Sequence, residues 1–294
     1  MNSFILHKVQ GFLDRVSKVG TDLDPKLVEE FKEACGKSIV RQFSNKKEKW
    51  RPRMSSLGRP LCQQKMERDG AEKNLEYNSI LRFAFGDMIE ALTILVLKSA
   101  KVDVKAEQEK VNLQLGKNSI SGTLDVEIEG KVWDIKSASP YAFEHKFGNL
   151  GGYKKIKEDD VFGYIVQGHL YSQARNKDFG GWIVVNKASG EWTVCEAPAV
   201  QEEDRKEALA LAEKNLKALM KGEKFKRCFT DKEETYKASD GTIKNTGNRL
   251  LSSICGFCDF KRACWPNSIM HRKVSSNARF PKSVWYRKLK KREI

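Results

Sequence analysis

The chain has 294 residues, 40% of them hydrophobic and 32% charged, with a formal net charge of +15 at pH 7. This fits one large globular domain, or a domain with appendages, and no apolar run approaches the roughly 20 residues that a membrane-spanning helix needs. The charge balance points to a polyanionic partner, with DNA or RNA ahead of a membrane surface.

The opening MNSFILHKVQGFLDRV lacks a secretory pattern, because His7, Lys8 and Gln10 break its apolar stretch. A cytoplasmic location is therefore expected, the host cytoplasm if the protein is viral. Residues 1–50 carry a helical pattern, and DPKLVEEFKEACGKSIVRQF opens on an Asp24 N-cap followed by Pro25. NKKEKWRPR at 45–53 is basic, and a Pro-interrupted connector covers 51–61. Leu75, Ile80, Phe83, Met88, Leu92 and Leu95 recur near helical spacing and predict a long helix over 74–99. A strand near 110–116 and a hairpin over 121–139 follow. The glycine-rich, charged segment 140–160, which contains HKFGNLGGYKK, reads as a mobile loop. Next come a helix over 161–175, a strand pair over 181–196 turning at Ala188-Ser189-Gly190, and the amphipathic EEDRKEALALAEKNLKALMKG. A polar linker at 222–250 leads to a cysteine cluster and a basic tail from His271 to Arg292. Trp50, Phe280, Trp285 and Tyr286 interleave with the basic residues, which suits a groove that follows phosphates and stacks bases. A soluble basic surface is the alternative. This order of elements predicts a mixed α/β core flanked by helices.

The hairpin SGTLDVEIEGKVWDIKSAS carries the chemistry. Glu129-Gly130 is its turn. Leu124, Val126 and Ile128 share one face of the first strand, and Asp125 and Glu127 the other. On the return strand Val132, Asp134 and Lys136 lie on one side, with Trp133 and Ile135 opposite. A solvated strand face would account for the charges, since buried ones are costly unless compensated. Two helices add further groups. FGDMIEAL sets Gly86 and Glu90 four residues apart on one face, among apolar neighbours, and GYIVQGHLYSQA does the same for Gln167 and Tyr171. Glu90, Asp125 and Asp134 form an oxygen-only anionic set suited to Mg²⁺ or Mn²⁺. Lys136 points to the same side as Asp134, where it can orient or deprotonate an attacking water and balance charge. Gln167 and Tyr171 position substrate or the pocket wall.

The ordered set G-x-x-x-E, T-L-D, D-I-K and Q-x-x-x-Y resembles the PD-(D/E)XK nuclease superfamily. It is most similar to the RecB-like branch that includes the CRISPR-associated RecB-like exonucleases and the AddAB nuclease domains. The resemblance implies a restriction-endonuclease-like core with a central mixed β-sheet, cleavage of DNA phosphodiesters, and Glu90, Asp125 and Asp134 as metal ligands. It also implies the Ile135 carbonyl as a further ligand and Lys136 as the catalytic lysine. Leu124 stands where the family name has proline, and Glu90 stands where many RecB-type members carry histidine.

Seven cysteines, unevenly spaced, ask for a metal rather than a disulfide framework. CGFCDFKRAC supplies Cys255, Cys258 and Cys264, and a closed site needs a fourth ligand. Cys62 far upstream plus three clustered cysteines resembles the iron–sulfur variant of the same nuclease branch, in which a [4Fe-4S] cluster staples the ends of the domain. Structural Zn²⁺ is the alternative, although it more often uses paired C-x2-C knuckles. Cys35, Cys195 and Cys228 read as buried small apolar residues. His169 reads as a core or surface histidine, and His145 as a solvated loop residue, with a DNA contact as the alternative.

Ser137 and Ser139 follow Lys136 and are expected phosphate contacts. Tyr153, Lys154 and Lys155 either grip a strand entering the site or are simply solvated. The iron–sulfur resemblance places Ser55, Ser56 and Arg59 at the DNA. The expected organisation is a helical N-terminal region over 1–73 with the first cluster cysteine, a nuclease core over 74–221, and a linker, cysteine cluster and basic tail over 222–294. The expected function is a divalent-metal-dependent DNA exonuclease acting on single-stranded DNA or free ends, in recombination, end processing or phage-type degradation. A structure-specific endonuclease on the same fold and a catalytically silent nucleic-acid-binding module are the alternatives.

Overall fold

The computed structural model describes residues 3–44 and 49–290. Residues 45–48 of the basic stretch, and Lys291 and Arg292 of the tail, lie outside the described residues. The chain begins with α1 (Phe4–Val19), α2 (Pro25–Phe43), a 3-10 turn (Met54–Ser56), α3 (Leu61–Arg68) and α4 (Ser79–Ser99). Strands β1 (Val104–Leu115), β2 (Asn118–Ile128) and β3 (Lys131–Ala138) follow. A helical turn α5 (Pro140–Ala142) runs into a π turn (Phe143–Phe147), then α6 (Tyr153–Glu158), α7 (Tyr164–Arg175), β4 (Asp178–Asn186), β5 (Trp192–Glu196) and α8 (Glu202–Met220). The remainder is β6 (Lys232–Lys237), β7 (Ile243–Leu250), α9 (Ser253–Gly256), α10 (Lys261–Cys264), β8 (Ile269–Arg272) and β9 (Ser283–Lys288). No helix among the described residues is long and apolar enough to cross a membrane.

The chain divides into two units, one of Met1–Arg59 with Glu76–Met220, the other of Pro60–Leu75 with Lys221–Ile294. The first is a mixed α/β unit. Its sheet has the order β1-β2-β3-β4-β5, antiparallel except where β3 and β4 run parallel. A parallel neighbour requires a crossover, here α5 to α7. One cluster of buried side chains joins Ile5, Val9 and Phe12 of α1 and Leu97 of α4 to Val126, Ile128, Trp133, Ile135 and Ile183 of the sheet. A second joins Phe147, Ile156 and Ile165 of the crossover to Phe179, Trp182 and Val184 of β4. Strand β4 is thus buried on both faces, as a central parallel strand should be.

Local chemistry accounts for the element ends. The Asp24 carboxylate accepts from the Lys26 N–H and Pro25 occupies the first helical position, as the sequence predicts. Glu129 and Gly130 both have positive φ, 50° and 72°, the turn whose twist matches a two-residue hairpin.

Three expectations fail. Segment 140–160 is not a loop but short helical turns, because Phe147 and Ile156 anchor it in the core between its charged residues. Segment 222–250 holds β6 and β7 of a second sheet, ordered β6-β7-β9-β8. Its organising group is the buried Glu234, whose carboxylate accepts from Asn248, Thr246, the Ser275 N–H and the Tyr286 hydroxyl. A hairpin held by such polar bonds has no apolar alternation to read. Finally, α4 does not bury its whole periodic set: Ile80, Phe83 and Leu92 stay exposed while Ala84, Thr93, Leu95 and Leu97 are buried. The helix packs on both α2 and the sheet, so its buried surface is broader than one stripe.

Candidate active site

Pairing of β2 with β3 matches Ile128 to Lys131, Glu127 to Val132 and Val126 to Trp133. The next positions in register are Asp125 and Asp134, where the ladder ends. Their carboxylates are built into the backbone and its neighbours. The Ile135 N–H donates to Asp125 Oδ2 at 2.7 Å, and the Lys136 ammonium donates to Asp134 Oδ1 at 2.9 Å. From α7, the Gln167 amide donates to the same Asp134 oxygen at 2.8 Å. The other Asp134 oxygen, Oδ2, lies 2.7 Å from Lys136 Nζ yet accepts no well-directed hydrogen bond. A solvated hairpin face is ruled out, since Asp134 is 4% exposed and Glu127, ion-paired to Arg175 at 2.9 Å, is 5% exposed.

Glu90 reaches the same group from α4 and accepts from the Gln108 amide. Gln108 itself has a φ of 47° in β1. Burial pushes the Glu90 carboxyl up to about 7, with the Asp134 and Asp87 charges adding to it and Lys136 opposing. Burial also raises Asp125 well above the carboxylate range, and the Glu90 and Asp134 charges raise it further. Asp134 is raised by burial, with Lys136 opposing. Burial alone would lower the Lys136 ammonium, but Asp134 and Asp125 outweigh it and hold the group above the ordinary lysine value. One buried carboxylate, Asp134, and two half-buried ones around a single ammonium leave an excess of negative charge that is costly to keep ionised.

Tyr171, also on α7, is buried across β2. A Cβ at Gly122 would meet its ring at 2.5 Å, so glycine is required there. Burial drives the Tyr171 phenol upward, and the Asp125 and Asp134 charges add to it. His169, one step off this face, is fully buried and meets the Tyr153 hydroxyl at 2.9 Å. Tyr153 is therefore an anchor of α6, packed on Trp182, rather than a side chain offered to a strand. Lys154 and Lys155 are exposed, the latter donating to the Leu150 carbonyl. Ser139 caps α5 by accepting from the Ala142 N–H, and Ser137 lies beside Gly86 of α4. His145 is half-buried against Tyr141 rather than solvated.

Ser55, Ser56 and Arg59 belong to a segment seated on the start of α7. A Cβ on Gly58 would lie 2.7 Å from Gly163, so the two backbones meet with no room for a side chain. Ser56 donates to the Arg53 carbonyl, and Arg59 sits close enough to Tyr164 to act on its phenol. Tyr164 was missed by sequence reasoning. Its ring has Lys136 at 5.2 Å and Lys146 at 4.4 Å, and it stacks on Phe162. Burial lowers the Lys146 ammonium. Nothing in HKFGNL singles out Lys146, because its position depends on the π turn.

In the second unit, Cys62, Cys255, Cys258 and Cys264 line one cavity whose walls include Met66, Phe229 and Trp265. Cys195 is buried as expected, but Cys35 is only partly so and Cys228 is exposed. Cys228 is not a filler residue: the Cys62 N–H donates to its sulfur at 3.1 Å, and the Cys62 thiol pulls it down to about 6. Among the described residues, no three Cys, His, Asp or Glu side chains close tightly enough on one point to hold a metal ion as they stand. The donor chemistry nonetheless suits two different guests. An all-oxygen carboxylate set fits a hard divalent cation, and thiols in an apolar-walled cavity fit a thiophilic centre.

No protein-family profile matches the chain. No curated protein matches it either. Among solved structures, SSO0001 is similar over 79% of this chain and 95% of its own, at 13% identity and a TM-score of 0.43. A protein from Eubacterium rectale, provisionally named an exonuclease, is similar over 69% of this chain and 87% of its own, at 12% identity and a TM-score of 0.34. The chemistry rests on the residues above.

Proposed function

We propose that the chain is a divalent-metal-dependent DNA nuclease, acting as an exonuclease in DNA end processing, recombination or degradation. The observation that carries this reading is the meeting of Asp125 and Asp134 at the end of the hairpin ladder, with Lys136 bound to one of them and the Ile135 N–H to the other. Glu90, Asp125, Asp134 and the Ile135 carbonyl would hold Mg²⁺ or Mn²⁺. The cation supplies Lewis-acid charge beside the scissile phosphate.

The protein's own groups do the rest. Asp134 and Gln167 fix the strand end, so the carboxylates stay aimed while substrate enters. Lys136, kept charged by its carboxylate neighbours, orients the attacking water and offsets charge developing on the phosphoryl oxygens. The Tyr164–Phe162 pair with Lys146 offers a stacking face and a cation for the incoming strand. The net charge of +15 draws the polyanion in. In the second unit, Cys62, Cys255, Cys258 and Cys264 would hold a [4Fe-4S] cluster, with Zn²⁺ as the competing occupant.

Digestion of end-labelled single- and double-stranded DNA with Mg²⁺, Mn²⁺ or chelator tests the reading. Metal-dependent release from ends, lost in Asp134→Ala and Lys136→Ala, is expected. Cleavage of covalently closed single-stranded circles would make the enzyme an endonuclease. DNA binding with no cleavage under any metal would leave only a binding module. Iron and sulfide analysis of anaerobically prepared protein, against zinc, identifies the occupant of the cysteine cavity.

A further inference from the structure

We propose that Cys228 is a peroxide-reactive thiol whose oxidation joins it to Cys62 in a reversible disulfide, withdrawing Cys62 from the four-cysteine cavity. Among the described residues that line the cavity are Cys62, Cys255, Cys258 and Cys264, but not Cys228. A fifth cysteine is therefore left over from any four-thiol site, yet it is in contact with one of the four. The Cys62 N–H donates to Cys228 Sγ at 3.1 Å, which sets the two cysteines side by side. Cys228 is exposed and Cys62 is partly buried. A small oxidant thus meets Cys228 first, with its resolving partner already beside it.

The chemistry balances with hydrogen peroxide as co-substrate. The Cys228 sulfur attacks the peroxide and takes one oxygen, the O–O bond breaks, and water leaves with a Cys228 sulfenic acid. The Cys62 sulfur then attacks that sulfur, displacing a second water as the S–S bond forms. Two electrons pass from the two thiols to the peroxide, and both thiol protons end in water. Reduction by a thiol reverses the step.

Formation of the disulfide stands on the Cys62–Cys228 contact alone. Its consequence, a block to loading of the cavity until Cys62 is released, rests on the four-cysteine reading given above. The two are tested separately in the full-length protein. Metal-free protein is treated with hydrogen peroxide, alkylated, digested without reduction and mapped by mass spectrometry. A Cys62–Cys228 linked peptide is expected as the main product, removed by dithiothreitol and absent from Cys228→Ser. Free alkylation of Cys228 after oxidation, or equal pairing of Cys62 with Cys255, Cys258 and Cys264, would overturn the proposal. Iron and sulfide uptake is then compared for reduced and oxidised protein. Uptake should fall at least fivefold on oxidation in the wild type and stay unchanged in Cys228→Ser. Equal uptake by oxidised and reduced wild type overturns the gating. If even reduced protein takes up no iron, the cluster reading fails, while the linked peptide still decides the disulfide.

Discussion

Gln167 on α7 donates to Asp134 Oδ1 on β3 at 2.8 Å, so the crossover helix holds the carboxylate that ends the hairpin ladder. The same oxygen accepts from Lys136, which makes Gln167 a positioning residue for both groups. Gln167→Ala should lower DNA cleavage by about 10–100-fold and weaken Mn²⁺ binding measured calorimetrically, with little change in thermal stability. Gln167→Glu, which sets a carboxylate against Asp134, should be worse than alanine at neutral pH. Wild-type cleavage and Mn²⁺ affinity in both variants would remove Gln167 from the site.

Burial and two neighbouring carboxylates oppose the charged form of Asp125. Asparagine keeps the acceptor for the Ile135 N–H and drops the charge. At pH 8 without metal, Asp125→Asn should therefore unfold at a higher temperature than wild type, by about 2–4 °C for each kcal/mol of repulsion relieved. Cleavage should fall by at least about a hundredfold. A less stable and fully active variant would contradict the strained, function-bearing arrangement.

His169 makes stability pH-dependent with a definite sign. Burial lowers its imidazole from 6.5 to about 4, although Asp204 pulls the other way. Between those values the unfolded chain binds a proton that the folded chain refuses, so stability rises with pH there. The contribution is complete above about pH 6.5 and is lost on acidification toward 4, on the order of 3 kcal/mol. Urea unfolding of wild type and His169→Gln across this window should show the steeper acid loss in the wild type. Parallel curves would mean that the histidine is protonated in the fold.

Lys146 lies over Tyr164 at 4.4 Å and over Phe162 at 4.7 Å, on the ring that also faces Lys136. If it meets a phosphate of the entering strand, Lys146→Ala should weaken single-stranded DNA binding and shrink the salt slope of log K by about 0.7. Fluorescence anisotropy across a salt series, in the Asp134→Ala background to prevent cleavage, reads this directly. An unchanged slope would place the DNA elsewhere.

Much of the first unit is legible in the chain itself. The Glu129-Gly130 turn, the split of Val126 and Ile128 from Asp125 and Glu127, and the N-cap at Asp24 each follow from two or three adjacent residues. Segments stabilised by distant partners are not legible in that way. The helical turns after β3 depend on Phe147 and Ile156 finding β4, and β6 and β7 depend on Glu234 meeting Tyr286, 52 positions away. Gln108, Tyr164 and Lys146 carry no local mark, because only the packing of one element on another brings Gln108 to Glu90 and the Tyr164–Lys146 pair to Lys136.

Alternation and helical spacing by themselves determined which side chains share a face, since a strand repeats every two residues and a helix every 3.6 whatever surrounds it. That sufficed to align Asp134 with Lys136 and Gln167 with Tyr171. Only the tertiary structure decided that the two pairs meet, that Glu90 joins them with its proton held up to about 7, and that Cys228 leaves the core to contact Cys62. Burial and through-space charge act between elements remote in sequence, and no short-range pattern encodes either.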